Sequence, residues 1–384
     1  MQTVNSSVLK KRIDSIDAMR GIVMLIMLLD HVRERFFFHE QVTDPMTLDS
    51  TGTLLFFSRF AAHFCAPTFV FLTGISAWLY SHPQVGPQRC ARSFLIKRGL
   101  FLIALECTVI TFQWMGNYDM IWLQVIWAIG ISMLALALLI NLPRVWLAVI
   151  GLVIVFGHNL LTPITFEPNE LGYTLWAILH DRGNIFSSDF VGIRASYPVL
   201  PWIGVILLGY VVAPIYAASF DDKRRHSWLI GLGIACLLMF ALLRGFNIYG
   251  ETLPWQQGDT WLMTLKSMLN LTKYPPSLGF LLVTVGGTLL GLRALEQLTP
   301  KLSKVLTIFG SAPMFFYIVH LYLLLIMYQL ALHILGPNQG ELYGFSSMYT
   351  VWLVTVILAV LLYFPTKWFS RYKHQSRQAW LKYF

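Results

Sequence analysis

Residues 14–35 read DSIDAMRGIVMLIMLLDHVRER and contain an apolar run, residues 21–29, between two groups of charged side chains. A helix that crosses a membrane needs about 20 predominantly apolar residues. We therefore predict a first membrane-spanning helix near residues 17–38. The polar stretch before it is too long for a secretory signal peptide, so the helix is expected to be retained.

Nine further apolar segments follow the first. The two longest contain Pro67 and Pro313, so tilted or kinked helices are expected there. The pattern predicts an all-α, polytopic transmembrane bundle of about ten spans, or eleven if residues 258–271 enter the bilayer. Short interfacial helices are predicted near 173–180 and 261–271. The later spans are placed near 53–81, 94–114, 120–140, 145–163, 198–219, 228–246, 276–293, 305–334 and 347–366.

The composition excludes an ordinary soluble protein. Of the 384 residues, 56% are hydrophobic and only 12% are charged, whereas a soluble domain carries roughly 25% charged residues. The net charge of +9 does not indicate nucleic-acid binding, because the lysines and arginines lie in short tracts between apolar segments. The four cysteines have no metal-ligand spacing, and no metal is expected.

The basic tracts also predict the topology. Cytoplasmic loops of membrane proteins carry an excess of lysine and arginine, and the tracts alternate without conflict if both termini are cytoplasmic. We therefore predict a single transmembrane domain over residues 1–384. Its cytoplasmic tails are residues 1–14 and 367–384, and its long outer loops are 39–52, 164–197 and 247–275.

The first span carries ionisable residues at helical spacing. Asp17, Arg20 and His31 recur on one face of the helix, and Asp14 is expected to cap it. Eleven residues separate Arg20 from His31, about 16 Å along a helix. Asp30 beside His31 indicates a functional site more than a structural hydrogen bond, because charged groups in a span are costly.

Other polar side chains fall within predicted spans. Arg33 and Arg35 are expected to reach the outer headgroups, while His63 is expected at a depth similar to that of His31. Glu106 fits either a site or a structural pair. His320 fits an interhelical hydrogen bond better than a site, and Tyr317 shares its helix face.

Five stretches, in order along the chain, carry a family resemblance. They are SIDAMRGI at 15–22, HFCAPTFVFLTG at 63–74, YPVLPWIGVILLGY at 197–210, KYPPSL at 273–278 and FGSAPMFFYIVH at 309–320. The pattern resembles the heparan-α-glucosaminide N-acetyltransferase-like family of bacterial membrane proteins. That family is related to membrane acyltransferases of the acyltransferase-3 type, whose first-helix signature is similar to Asp17-x-x-Arg20-Gly21 with His31.

The resemblance implies transfer of an acyl group, in the first place acetyl, from cytoplasmic acyl-CoA to a sugar-like or other small acceptor. It implies an O- or N-acyltransferase with acyl-CoA as co-substrate, and it places a first-helix histidine in the active centre. We hypothesise that His31 is the general base, tuned by Asp30, with His63 as oxyanion donor or second base.

The remaining candidates are assigned to the acyl-CoA. Arg20 and Asp17 are expected to shape a channel for the CoA arm. His320 is expected to have a supporting role in the site. Lys97 and Arg98 are expected to meet the CoA phosphates. Glu106 is then expected to hold one of these charges in place.

Two other classes remain open. Intramembrane histidines and carboxylates also serve proton-coupled transporters or exporters, and His31, His63 or His320 are possible haem ligands. The expected partners are the lipid bilayer, acyl-CoA and an acceptor, in the simplest case a carbohydrate, and a homo-oligomer is left open. No nucleic-acid partner is expected, and the resemblance implies a bacterial inner membrane.

Overall fold

The computed structural model describes residues 6–83 and 86–384, and the protein is mostly helical. Six helical segments in this part of the chain are long and apolar enough to cross a membrane, and one of them, Thr53–Ser81, has a two-residue turn at His63 and Phe64. They are Thr53–Ser81, Arg144–Leu161, Asp222–Gly245, Leu278–Leu295, Pro313–Leu335 and Met348–Gln375. The predicted helical membrane protein is therefore confirmed in outline, and the count of ten spans stays a prediction.

The helices and strands are numbered in chain order. Short helical turns at Glu106–Ile110, His158–Leu161, Ala213–Tyr216 and Ala379–Tyr383 adjoin or follow them. The helices are α1 Ser6–Phe36, α2 Thr53–Ala62, α3 Cys65–Ser81, α4 Ala91–Leu105, α5 Thr111–Met115, α6 Val125–Leu139, α7 Arg144–Gly157, α8 Tyr173–Leu179, α9 Leu200–Val212, α10 Asp222–Gly245, α11 Trp261–Leu269, α12 Leu278–Leu295, α13 Pro300–Ser311, α14 Pro313–Leu335 and α15 Met348–Gln375. The strands are β1 Met120–Leu123, β2 Gly183–Ser187 and β3 Gly192–Ala195.

Three elements differ from the sequence predictions. The predicted helix 305–334 is two helices, because Pro313 begins α14 and lacks the amide hydrogen that would continue α13. Helix α1 begins at Ser6, so Asp14 lies inside it and does not cap it. Residues 1–5 of the predicted tail lie outside the described residues. Helix α15 continues to Gln375, through half of the predicted C-terminal tail.

A small sheet was not predicted. Strand β3 pairs in parallel with β1 and antiparallel with β2, so the strand order is β1-β3-β2. The strands are four or five residues long and lie in connections between helices. The predicted short helices are present as α8 and α11.

The chain divides into two compact units. The first unit comprises the described residues among Met1–Leu9, Ala66–Gln256 and Leu271–Leu290. In it, α4 packs on α6, α7 packs on α9, and the sheet lies beside α8. Gly99 and Gly130 face each other where α4 crosses α6, so the two backbones approach closely. The prediction of one domain over the chain stays a prediction.

The second unit comprises Lys10–Cys65, Gln257–Asn270 and Gly291–Phe384. It contains most of α1 with α2, α11, α13, α14 and α15. Helix α11 is held to the loop before α2 because the Asn270 side chain bonds both the amide and the carbonyl of Met46. The buried Lys266 donates to the Thr51 carbonyl at 2.8 Å. This unit holds the two histidines described next.

Candidate active site

His31 of α1 and His320 of α14 form a buried pair inside the second unit. His31 Nδ1 and His320 Nε2 are 2.8 Å apart. The two rings are stacked, with centroids 5.1 Å apart and planes 10° from parallel. The structure thus joins the first predicted span to a helix near the other end of the sequence through two imidazoles.

The contact between His320 and the Phe316 carbonyl determines which ring nitrogen carries the proton in each of the two histidines. His320 Nδ1 lies 2.7 Å from the Phe316 carbonyl oxygen, which can only accept a hydrogen bond, so Nδ1 carries the proton. When His320 is neutral, its Nε2 is then an acceptor and His31 Nδ1 must donate to it. A neutral His31 is therefore left with its lone pair on Nε2, which is the nitrogen that a general base needs.

Aromatic rings surround the pair. Tyr317 meets His31 edge-on with centroids 5.8 Å apart, and it meets His320 at 5.6 Å. Phe316 lies 5.1 Å from the His320 ring. Tyr317 and His320 share a helix face, as their spacing predicted, and both are buried. The packing limits rotation of both imidazoles.

Beside the histidines, α1 and α2 share a charged network. Arg33 donates to Asp30 Oδ1 through Nε at 3.0 Å and Nη2 at 2.8 Å. Arg59 Nη1 donates to Asp30 Oδ2 at 3.2 Å. Glu34 lies 3.1 Å from Arg33 and 3.8 Å from Arg59. Two carboxylates thus balance two guanidinium groups in a mostly buried place.

This network changes one expectation and adds one residue. Arg33 is 5% exposed and bonded to Asp30, so the prediction that it reaches the headgroups is wrong. Asp30 is held by both arginines. Arg59 was missed by the sequence analysis, although an arginine four residues before His63 in a predicted span is a costly charge that calls for a partner.

His63 lies at the junction between α2 and α3. It follows the last residue of α2 and is 2% exposed, with its ring 6.0 Å from that of Phe60. The helix is interrupted at His63 and Phe64 and resumes at Cys65. The histidine that bonds His31 is His320, and the predicted partnership of His63 with His31 stays a prediction.

Asp17 and Arg20 lie on α1, closer to its N-terminus than His31. Arg20 Nη1 donates to Asp17 Oδ1 at 2.6 Å. Gly310 of α13 packs against the backbone of Asp17, and Gly21 packs against the carbonyl of Leu306. The two helices therefore approach each other closely beside this ion pair.

The other predicted residues lie in the first unit. Glu106 is buried, and its Oε2 accepts the Trp127 amide hydrogen at 3.0 Å, in the first turn of α6. Arg98 lies over the ring of Phe94 at 5.8 Å. The observed hydrogen bond of Glu106 is thus to the first turn of α6, and its predicted role of holding Lys97 or Arg98 in place stays a prediction.

Lys97 lines an open depression of about 240 Å³ at the start of α4. Its other lining residues are Cys90, Arg92, Ser93 and Ile96. Across residues 6–83 and 86–384, no group of three or more His, Cys, Asp or Glu side chains is arranged to hold a metal ion. That no metal is needed stays a prediction.

Comparison with known families gives a match over most of the first two thirds of the chain. The model of the family described as heparan-alpha-glucosaminide N-acetyltransferase, catalytic, matches residues 12–244, which is more than half of the chain. The matched region includes His31, Asp30 and Arg59, whereas His320 lies beyond it. No curated protein matches the chain.

Proposed function

The chain belongs to the heparan-α-glucosaminide N-acetyltransferase family, and from that premise we propose that it is a membrane-embedded acyltransferase. It moves an acyl group, in the first place acetyl, from cytoplasmic acyl-CoA to a sugar-like or other small acceptor. The proposed topology has about ten spans with both termini cytoplasmic, in a bacterial inner membrane. Whether the product is an ester or an amide depends on the acceptor, so O- and N-transfer are both retained.

The observation that carries this proposal is the hydrogen-bonded chain from the Phe316 carbonyl through His320 to His31. It leaves the lone pair of a neutral His31 on Nε2. An imidazole whose second nitrogen is held by a fixed acceptor is the usual form of a general base in acyl transfer. The site therefore has the group that an acceptor hydroxyl or amine requires.

The reaction follows from that group. His31 Nε2 takes a proton from the acceptor while the acceptor oxygen or nitrogen attacks the thioester carbonyl. The tetrahedral intermediate then collapses, the carbon–sulfur bond breaks, and the thiolate of CoA takes the proton back from His31. His63 is the proposed oxyanion donor or second base. The charges of Asp30 and the two arginines fix the helix turn beside His31.

Two further assignments carry over from the sequence. Arg20 and Asp17 are proposed to shape the channel for the CoA arm. Lys97 and Arg98 remain the sequence's candidates for the CoA phosphates. A proton-coupled transporter is the alternative, and it predicts no chemical change in acetyl-CoA.

The test is release of free thiol from acetyl-CoA by the purified protein in detergent, with glucosamine or water as acceptor. We expect turnover by the wild type and a loss of about 10²- to 10⁴-fold in His31→Ala, because a positioned general base contributes that much. His333→Ala, an exposed histidine on α14, is the matched control. Full activity in His31→Ala would remove the general-base assignment, and no thiol release by folded wild type would favour the transporter.

A further inference from the structure

The part of α1 that carries Arg20 packs against the C-terminal end of α13, just before the turn into α14. Gly310 packs against the Asp17 backbone, and Asp17 bonds Arg20. The next residue, Ser311, is the last of α13. Ser311 therefore directly follows the glycine that contacts Asp17, within the same compact unit.

Helix α15 brings a lysine to that turn. Lys373 Nζ donates to the Ser311 carbonyl at 3.0 Å, and the Ser311 and Ser370 hydroxyls are 2.7 Å apart. His374 Nδ1 lies 2.7 Å from the Ser370 carbonyl. Lys373 and His374 are also near enough to act electrostatically on Asp17.

The charges at this place favour an anion. Arg20 and Lys373 are cations near pH 7. Asp17 is the carboxylate among them. A phosphate group accepts several charge-assisted hydrogen bonds at once, and it pairs well with an arginine, a lysine and two hydroxyls.

The distance from Arg20 to His31 indicates which phosphate compound would fit between them. Helix α1 is unbroken from Ser6 to Phe36, so the eleven residues from Arg20 to His31 span about 16 Å. Thirteen bonds join the first phosphorus of CoA to its sulfur. At the ~1.1–1.2 Å per bond of an extended polypeptide, that arm reaches about 14–16 Å. A phosphate held at Arg20 therefore places a thioester at His31.

We propose that Lys373, with Arg20 and the hydroxyls of Ser311 and Ser370, binds the pyrophosphate of acyl-CoA, and that the pantetheine arm follows α1 to His31. This rests on the proposed acyltransferase function and adds a phosphate site that the sequence did not indicate. Lys373 and both serines lie outside residues 12–244, so the family match does not assign them. The site competes with the earlier assignment of the phosphates to Lys97 and Arg98.

The test compares Lys373→Gln, which keeps a donor for the Ser311 carbonyl but removes the charge, with wild type. For acetyl-CoA we expect a 10- to 100-fold rise in KM, the usual size for one charge-assisted hydrogen bond. For S-acetyl-N-acetylcysteamine, which has a thioester but no phosphate, kcat/KM is expected to stay within twofold. Lys373→Arg restores binding of acetyl-CoA, and Lys367→Gln on the same helix is the control.

Direct binding of CoA, measured without turnover, separates this inference from the proposed function. Wild type that binds CoA while Lys373→Gln binds it equally well overturns the phosphate site and leaves the acyltransferase in place. A loss of CoA binding in Arg98→Ala with no loss in Lys373→Gln also overturns the phosphate site. Binding of phosphatidylglycerol in mixed detergent micelles that depends on Lys373, while CoA binding does not, identifies a lipid headgroup site and also overturns the proposal. Absence of any CoA binding to folded wild type overturns both.

Discussion

At the scale of single residues, His31 serves as a base only if one ring nitrogen is kept without a proton. Its contact with His320 decides which one. The Phe316 carbonyl holds the proton on His320 Nδ1, and His320 Nε2 then accepts from His31. His320 touches no proposed reacting atom, so it is a positioning residue. From the sequence, His320 was expected to have only a supporting role, because a lone histidine on an apolar helix usually forms an interhelical hydrogen bond.

The role of His320 makes a graded prediction. His320→Gln can still offer an acceptor oxygen to His31 Nδ1, whereas His320→Phe keeps a flat ring and offers none. We expect kcat to fall about tenfold in the Gln variant and at least 100-fold in the Phe variant, with KM for acetyl-CoA little changed. The pH–rate profile of His320→Phe should also shift, because the tautomer of His31 is no longer fixed. Equal kcat in both variants would show that His320 only fills space.

At the scale of helices, α1 and α13 pack with their backbones in contact. A Cβ atom added at Gly310 would collide with the Asp17 carbonyl, and one added at Gly21 would collide with the Leu306 carbonyl. Backbone atoms of a packed helix cannot move aside as a flexible side chain can. Small residues at such crossings are typical of membrane helices. The crossing packs the part of α1 that carries Asp17 and Arg20 against the C-terminal end of α13, where Ser311 is the last residue.

Gly310→Ala tests that crossing. We expect it to lower the free energy of unfolding by about 1–3 kcal/mol through overpacking and to weaken acetyl-CoA binding, measured by thermal unfolding and KM. The matched control is Gly231→Ala in α10, where an added Cβ meets nothing within 4 Å. That change should be neutral or stabilising by up to about 1 kcal/mol, because alanine is the better helix former. Equal effects at both positions would contradict the close crossing.

At the scale of the whole molecule, one carboxyl in the loop between α10 and α11 links stability to pH. Glu251 accepts hydrogen bonds from the Thr272 amide at 3.1 Å and from the Ser277 hydroxyl. Burial raises the pKa of Glu251 to about 7, against the lowering effects of these bonds and of Arg244. The folded protein therefore holds a proton that the unfolded chain releases near the ordinary pKa of 4.5.

The sign of the pH dependence follows from that difference. Between about pH 4.5 and 7 the folded state binds more protons than the unfolded state, so stability contributed by Glu251 falls as pH rises through that window. Glu251→Gln mimics the protonated side chain and should flatten the pH dependence of Tm, with a gain of a few degrees at pH 8. Thermal unfolding from pH 5 to 8 measures it, and Asp259→Gln at an exposed position is the control. An unchanged slope in Glu251→Gln would contradict the linkage.

The sequence by itself determined that this is a helical membrane protein and a member of its family. Both depend on local information: the length of apolar runs, the scarcity of charge, and short motifs such as Asp17-x-x-Arg20-Gly21. Helical spacing also placed Arg20 and His31 on one face of α1, since a helix of 31 residues has fixed geometry. At Pro313 the sequence predicted a kink, and the structure has a break between two helices. The small sheet was not predicted, because strand pairing depends on contacts beyond the local pattern.

Only the tertiary structure decided which side chains meet. His31 and His320 are 289 positions apart, and periodicity within one helix contains no information on the partner helix or its rotation. The same holds for Arg59 with Asp30 and for Lys373 with Ser311. The tertiary contacts also assigned Glu106 to the N-terminus of α6. A buried polar group must find a partner, so a sequence predicts that a partner exists, and the packing of helices selects which one it is.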